Sequence, residues 1–123
     1  MKHIDILIVD DEQRYAGMLA KRLSLRGLSC EVRYDGSSAI AALQEKTFSI
    51  VILDLRLPDI YGIDVLVQIK RMLPETVVII LTGHGTEKDR ERCMAHGAHA
   101  FMHKPLDIGC LTAIMAQIKE RAR

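Results

Sequence analysis

The sequence predicts an α/β fold, a parallel sheet doubly wound with helices on both faces, and three observations carry that prediction. Ile6–Val9, Ile50–Leu53 and Val77–Leu81 are continuous apolar runs rich in β-branched residues. Lacking the alternation of a half-exposed strand, they suit parallel strands covered on both sides. Stretches of helical periodicity separate these runs, and strand–helix alternation at this length implies right-handed crossovers. Finally, the runs end in Asp10, Asp54 and Thr82, so chemically active side chains fall at the carboxyl ends of strands. The 123 residues suffice for one such domain, spanning 1–123, and are too few for two.

In chain order, Ile6–Val9 is the first strand and runs into Asp10, Asp11 and Glu12. Gln13–Arg26 lacks proline, places Ala16, Leu19, Ala20 and Leu23 at helical spacing and has Gly27 where a C-terminal cap belongs. Cys30–Tyr34 interleaves charged and apolar residues, as an edge strand does. Asp35, Gly36, Ser37 and Ser38 make a turn and cap, and Ala39–Lys46 is a short helix burying Ile40 and Leu43. After the central strand Ile50–Leu53, Pro58 and Gly62 turn the chain into a helix, Ile63–Met72, whose buried face is Ile63, Leu66 and Ile69; Pro74 stops it.

Val77–Leu81 is the next strand, followed by Thr82 and the loop Gly83, His84, Gly85. Thr86–His96 begins with a good cap but offers only Cys93, Met94 and Ala95 as apolar candidates among Glu87, Lys88, Asp89, Arg90, Glu91 and Arg92. That helix is expected to be weakly anchored. Ala98–His103 is the last strand. Lys104 and Pro105 follow with a cis peptide expected between them, and Asp107 caps a final helix with the face Ile108, Leu111, Ile114, Met115 and Ile118.

Composition removes several function classes. Lys and Arg number 17 against 16 Asp and Glu, a net charge of +1, so no global field draws the chain to nucleic acid or anionic membrane. Cys30, Cys93 and Cys110 are odd in number, far apart and without a C-x-x-C pair, which argues against a disulfide framework and a structural zinc site. His96, His99 and His103 match no zinc spacing. The opening MKHIDILIVDDE holds an apolar run too short for a leader or a membrane span, so a cytoplasmic chain with reduced thiols is expected. Lys119, Arg121 and Arg123 read as a solvated helix tail.

The chemistry lies at the strand ends. Asp10, Asp11, Asp54, Thr82 and Lys104 share one edge of the sheet, where open α/β sheets bind ligands. Three carboxylates there repel, at about 4 kcal/mol for a pair about 4 Å apart in an effective dielectric near 20, so a cation must compensate. A hard divalent ion such as Mg2+ suits carboxylate and carbonyl oxygens and bridges to phosphate. Lys104 adds a fixed cation and Thr82 a hydroxyl. Asp54 is then placed as a nucleophile that accepts a phosphoryl group.

At this spacing and in this order, VDDE (Val9–Glu12), LDLRLPDIYG (Leu53–Gly62), LTG (Leu81–Gly83) and KP (Lys104, Pro105) resemble the receiver domains of two-component response regulators over nearly the whole chain. The resemblance implies a flavodoxin-like sheet of five strands in the order 2-1-3-4-5 with five helices. It implies that Asp54 takes a phosphoryl group from a histidine kinase, that Asp10 and Asp11 help bind Mg2+ with Asp54, and that Arg56 gives the metal its backbone carbonyl. Thr82 and Lys104 then contact the phosphoryl group, and Thr82 with Phe101 forms the switch. The implied partners are the kinase and an output domain or protein met through the face of the fourth helix and fifth strand, with transcription as the expected output and a phosphorylation-dependent dimer as a further outcome. Such a domain is a signalling element that catalyses only its own phosphorylation and dephosphorylation.

Tyr61 stands where many members of that family have Asp or Asn. Two other functions compete on the same architecture. One is an aspartyl-nucleophile phosphohydrolase, whose dehalogenase-like form wants a second acid where this chain has Arg56. The other is a flavin- or nucleotide-binding domain, for which a Gly-rich loop after the first strand is missing.

Overall fold

The computed structural model describes residues 1–121; Arg123, expected in the basic tail, lies outside the described residues. Strands β1 (His3–Val9), β2 (Cys30–Arg33), β3 (Thr47–Leu53), β4 (Val77–Thr82) and β5 (Ala100–His103) alternate with helices α1 (Gln13–Ser24), α2 (Gly36–Glu45), α3 (Gly62–Met72), α4 (Glu87–Ala95) and α5 (Ile108–Arg121). All four strand pairings are parallel, in the order β2-β1-β3-β4-β5. This is the flavodoxin-like doubly wound sheet expected from the sequence.

Continuous apolar runs arise because successive side chains enter two different cores. Leu7, Val9, Val51, Leu53, Val78 and Ile80 pack with residues of α2 and α3 and with Cys93 of α4. Ile6, Ile8, Ile50, Ile52, Ile79 and Leu81 pack with α1 and α5 on the opposite face. A one-residue slip in any central strand would exchange these sets, so burial on both faces holds the register through packing rather than polarity.

Several boundaries differ from the sequence reading. β1 and β3 begin at His3 and Thr47, earlier than Ile6 and Ile50, because His3 pairs with Thr47 and its ring bonds Thr47 Oγ1 at 2.7 Å and Ser49 Oγ at 3.0 Å. Polar cross-strand pairing extends the ladder where hydrophobicity is silent. α2 begins at Gly36 rather than Ala39. The Asp35 carboxylate accepts from Ser38 N at 2.8 Å, and Asp59 accepts from Gly36 N at 2.8 Å and Ser37 N at 2.9 Å, so the first amides have partners. α1 ends at Ser24, and Gly27 with φ of 80° occupies the closing turn, where Leu28 N donates to Leu23 O at 3.2 Å. β5 starts at Ala100 rather than Ala98, whose N–H instead donates to Cys93 O at 3.0 Å and finishes the turn after α4.

α4 is as weakly anchored as its composition suggests. Thr86 and Asp89 form a capping box, yet Cys93 is the one buried residue of the helix. The Lys104–Pro105 peptide is cis. No helix among the described residues is long and apolar enough to cross a membrane.

Candidate functional site

Parallel pairing brings the ends of β1, β3, β4 and β5 to one edge, and backbone bonds fix each end to its neighbour. Asp10 N donates to Arg33 O, Asp54 N to Val9 O and Lys104 N to Thr82 O, each at 3.0 Å. Asp10, Asp54 and Thr82 are buried there, with 3%, 5% and 1% of their surface exposed. Lys104 Nζ reaches back between the acids, 2.8 Å from Asp10 Oδ2, 3.0 Å from Asp54 Oδ2 and 2.5 Å from Glu12 Oε1. Its ammonium also lies 5.0 Å from the centre of the Tyr15 ring, and the Tyr15 hydroxyl accepts from Leu106 N at 2.9 Å. The aromatic ring thus supports both the cation and the chain just beyond it.

The electrostatics follow from this crowding. Burial by itself would lower the Lys104 pKa, but hydrogen bonds to Asp10, Glu12 and Asp54 outweigh it and raise the group above the ordinary lysine range. Burial dominates at Asp10 and raises its carboxyl, with the Asp54 charge adding to the effect and Lys104 and the Glu12 amide opposing it.

The structure therefore brings together four of the residues selected from sequence: Asp10, Asp54, Thr82 and Lys104. It adds Glu12, which sequence reasoning passed over. Carboxylate oxygens of Asp10, Glu12 and Asp54 all lie within 4.8 Å of one another. Asp11 is exposed and stands outside that group. Glu12 N donates to Asp10 Oδ1 at 2.9 Å, which folds the turn after β1 so that Glu12 reaches Lys104. The third acid of the VDDE motif was the available signal for it.

Around this cluster the loops are drawn tight. A Cβ at Gly62 would lie 2.5 Å from the Asp54 carbonyl oxygen, so only glycine lets α3 begin directly beneath the acid. Arg56 N is 3.4 Å from Asp54 Oδ1, and His84 N is 3.4 Å from Thr82 Oγ1. The loop from Asp54 to Gly62 is tied to α2 through Asp59, which accepts from Ser37 Oγ at 2.7 Å as well as from the two amides named above. These bonds, the Ser37 hydroxyl first, lower the Asp59 pKa well below the carboxylate range.

The loop after β4 rests on β5. A Cβ at Gly85 would fall 2.3 Å from Phe101 Cζ and 2.8 Å from Thr82 Cγ2, so this glycine is sandwiched between the two residues read as a switch. The Phe101 ring meets the His103 ring edge-on at 5.6 Å, and His103 Nε2 lies 3.1 Å from Gly85 O. Movement of the Thr82 loop would therefore be felt by both β5 side chains.

Chemically, the edge offers a buried carboxylate beside a fixed ammonium and a hydroxyl that can donate to an oxygen. The donor set is wholly hard oxygen, which suits a small divalent cation such as Mg2+ and lacks the nitrogen or sulfur of a zinc centre. A pocket of about 210 Å³ lined by Arg26, Leu28, Thr112, Met115, Ala116 and Lys119 shares none of the acid cluster's residues.

Residues 6–116 match the family model described as the response regulator receiver domain. An NtrX-like response regulator of Rickettsia conorii is 33% identical over 122 residues, covering 98% of this chain and 26% of that protein. The transcriptional regulatory protein TcrA of Mycobacterium tuberculosis is 31% identical over 118 residues, covering 96% of this chain and 47% of that protein. The chain thus spans a quarter to a half of these curated relatives' length. Among solved structures, the receiver domain of NtrX from Brucella abortus superposes with a TM-score of 0.84 at 31% identity, covering 94% of this chain and 98% of that one.

Proposed function

This chain belongs to the response regulator receiver domains, and from that premise we propose that Asp54 accepts a phosphoryl group from a histidine kinase and that the resulting charge switches an output. The observation supporting this most is Lys104 Nζ held between two buried carboxylates, Asp10 and Asp54, at the strand ends. In the proposed step an Asp54 oxygen attacks phosphorus. An acyl–phosphate bond forms, the phosphorus–nitrogen bond to the kinase imidazole breaks, and the electron pair leaves with the imidazole. Lys104 neutralises charge on the transferring group, and the Thr82 hydroxyl donates to one of its oxygens. Asp10 and Asp54, with Glu12 beside them, supply hard oxygens for Mg2+, and Asp11 and the Arg56 carbonyl complete the proposed set. When bound, Mg2+ would add positive charge at the transferring oxygens.

The phosphoryl group brings roughly −1.5 to −2 charge to Thr82 and Lys104. We place the response in α4 and β5, whose face would meet an output domain or partner protein; coupling of about 1–3 kcal/mol suffices for regulation. A transcriptional output is the reading that the name of the TcrA relative favours, and a cytoplasmic site of action goes with a kinase donor.

Intact mass after incubation with acetyl phosphate and Mg2+ tests the assignment. A single base-labile phosphoryl adduct is expected on the parent and none on Asp54→Asn. An adduct persisting in the variant at similar yield would overturn it, and rapid release of phosphate without adduct would favour the phosphohydrolase.

A further inference from the structure

We propose that the Tyr61 hydroxyl is a clasp: its hydrogen bond to Asp89 holds α4 in its resting position and sets how rarely the helix leaves that position before phosphorylation. Tyr61 precedes α3 at a position where Ser, Thr, Asp or Asn normally turns back onto its own helix, and its side chain makes no such cap bond. The side chain instead crosses to α4, where the hydroxyl donates to Asp89 Oδ1 at 3.2 Å. Asp89 Oδ2 is engaged separately, accepting from Thr86 N and Thr86 Oγ1, both at 3.0 Å, while Asp89 N donates to Thr86 Oγ1 at 3.1 Å. One carboxylate therefore closes the α4 capping box and receives the clasp. An ordinary phenol is already a donor at neutral pH, and here desolvation first, and then the Asp89 charge, raise its pKa further.

The two ends of this bond sit on unequal supports. The loop bearing Tyr61 is tied to α2 by Asp59 and pressed under Asp54 by the close approach at Gly62. α4 buries only Cys93. A tether between a fixed loop and a loosely packed helix acts on the helix. Tyr61 is 41% exposed, so losing its hydroxyl removes the tether and leaves the α3 core, the capping box and the acids in place. Tyr61 is thus a positioning residue for the switch, and the inference rests on the phosphoacceptor reading only for its activated reference state.

The test compares parent and Tyr61→Phe by backbone amide shifts, with and without beryllofluoride and Mg2+, and by amide hydrogen exchange. In the variant without beryllofluoride, amides from Thr86 to Gly97 should move along the line toward the parent's beryllofluoride positions. That corresponds to about a three- to tenfold rise in the switched population, the scale of one partly exposed bond to a charged acceptor. The rate of phosphorylation by acetyl phosphate should rise by a similar factor. Shifts confined to the immediate neighbours of Tyr61, or displaced off that line, overturn the clasp. If the parent ignores beryllofluoride, the phosphoacceptor reading fails and hydrogen exchange alone judges the clasp: faster exchange in α4 with β4 unchanged supports it, and equal exchange overturns it.

Discussion

α3 and α4 are neighbours on the same face of the sheet and are held there by different forces. α3 buries Ile63, Val65, Leu66 and Ile69 in the core, and α4 buries Cys93. What secures α4 is polar and sits at its first turn: the Thr86–Asp89 capping box and the Tyr61 hydrogen bond. Apolar burial has no competing partner in water, whereas an exposed hydrogen bond exchanges with water at a net value of only about 0.5–1.5 kcal/mol. A helix held in the second way can change position when a new charge appears at Thr82. A helix held in the first way cannot move without opening the core.

Truncation of the packed face should separate the two helices most widely. Ile69→Ala removes a fully buried side chain of α3 and should cost about 2–5 kcal/mol in urea unfolding. Met94→Ala, on the half-exposed side of α4, should stay within about 0.5 kcal/mol. Similar losses from both would erase the distinction between the helices. A smaller effect is expected at the cap. Thr86→Ala should cost about 1 kcal/mol, and hydrogen exchange should locate the loss in α4, with α3 protected as before.

The smallest effect is a pH dependence at the same turn. The Thr86 amide, ahead of the Thr86 and Tyr61 hydroxyls, lowers the Asp89 pKa in the folded protein. The stability its carboxylate contributes is present above the unfolded value of about 3.9 and is lost as pH falls through the folded one. Acidification should therefore loosen the first turn of α4 before α3 responds, which amide exchange measured against pH would reveal. Asp10 carries the opposite sign. Burial raises its pKa, so its contribution grows less favourable as pH rises from the unfolded value through the folded one.

Much of this division was legible in the residues. The bare charge of Glu87 to Arg92 already marked α4 as loosely held, and the apolar runs ending in Asp10, Asp54 and Thr82 located the edge where chemistry gathers. Several features were not legible, each because its cause lies far away in the chain. His3 joins β1 through Thr47, the amides that start α2 are satisfied by Asp59, and Glu12 rather than Asp11 turns toward the acids because Lys104 reaches it from the end of β5. Nor does a helical pattern reveal that Tyr61, placed to cap its own helix, bonds to the next one.

The most direct measurement is amide hydrogen exchange of the parent protein with and without beryllofluoride and Mg2+, read residue by residue. Protection should change from Gly83 through Phe101, including all of α4, with α3 from Gly62 to Met72 unaltered. Equal changes in α3 and α4, or no change in α4 while the adduct is bound, would contradict this expectation.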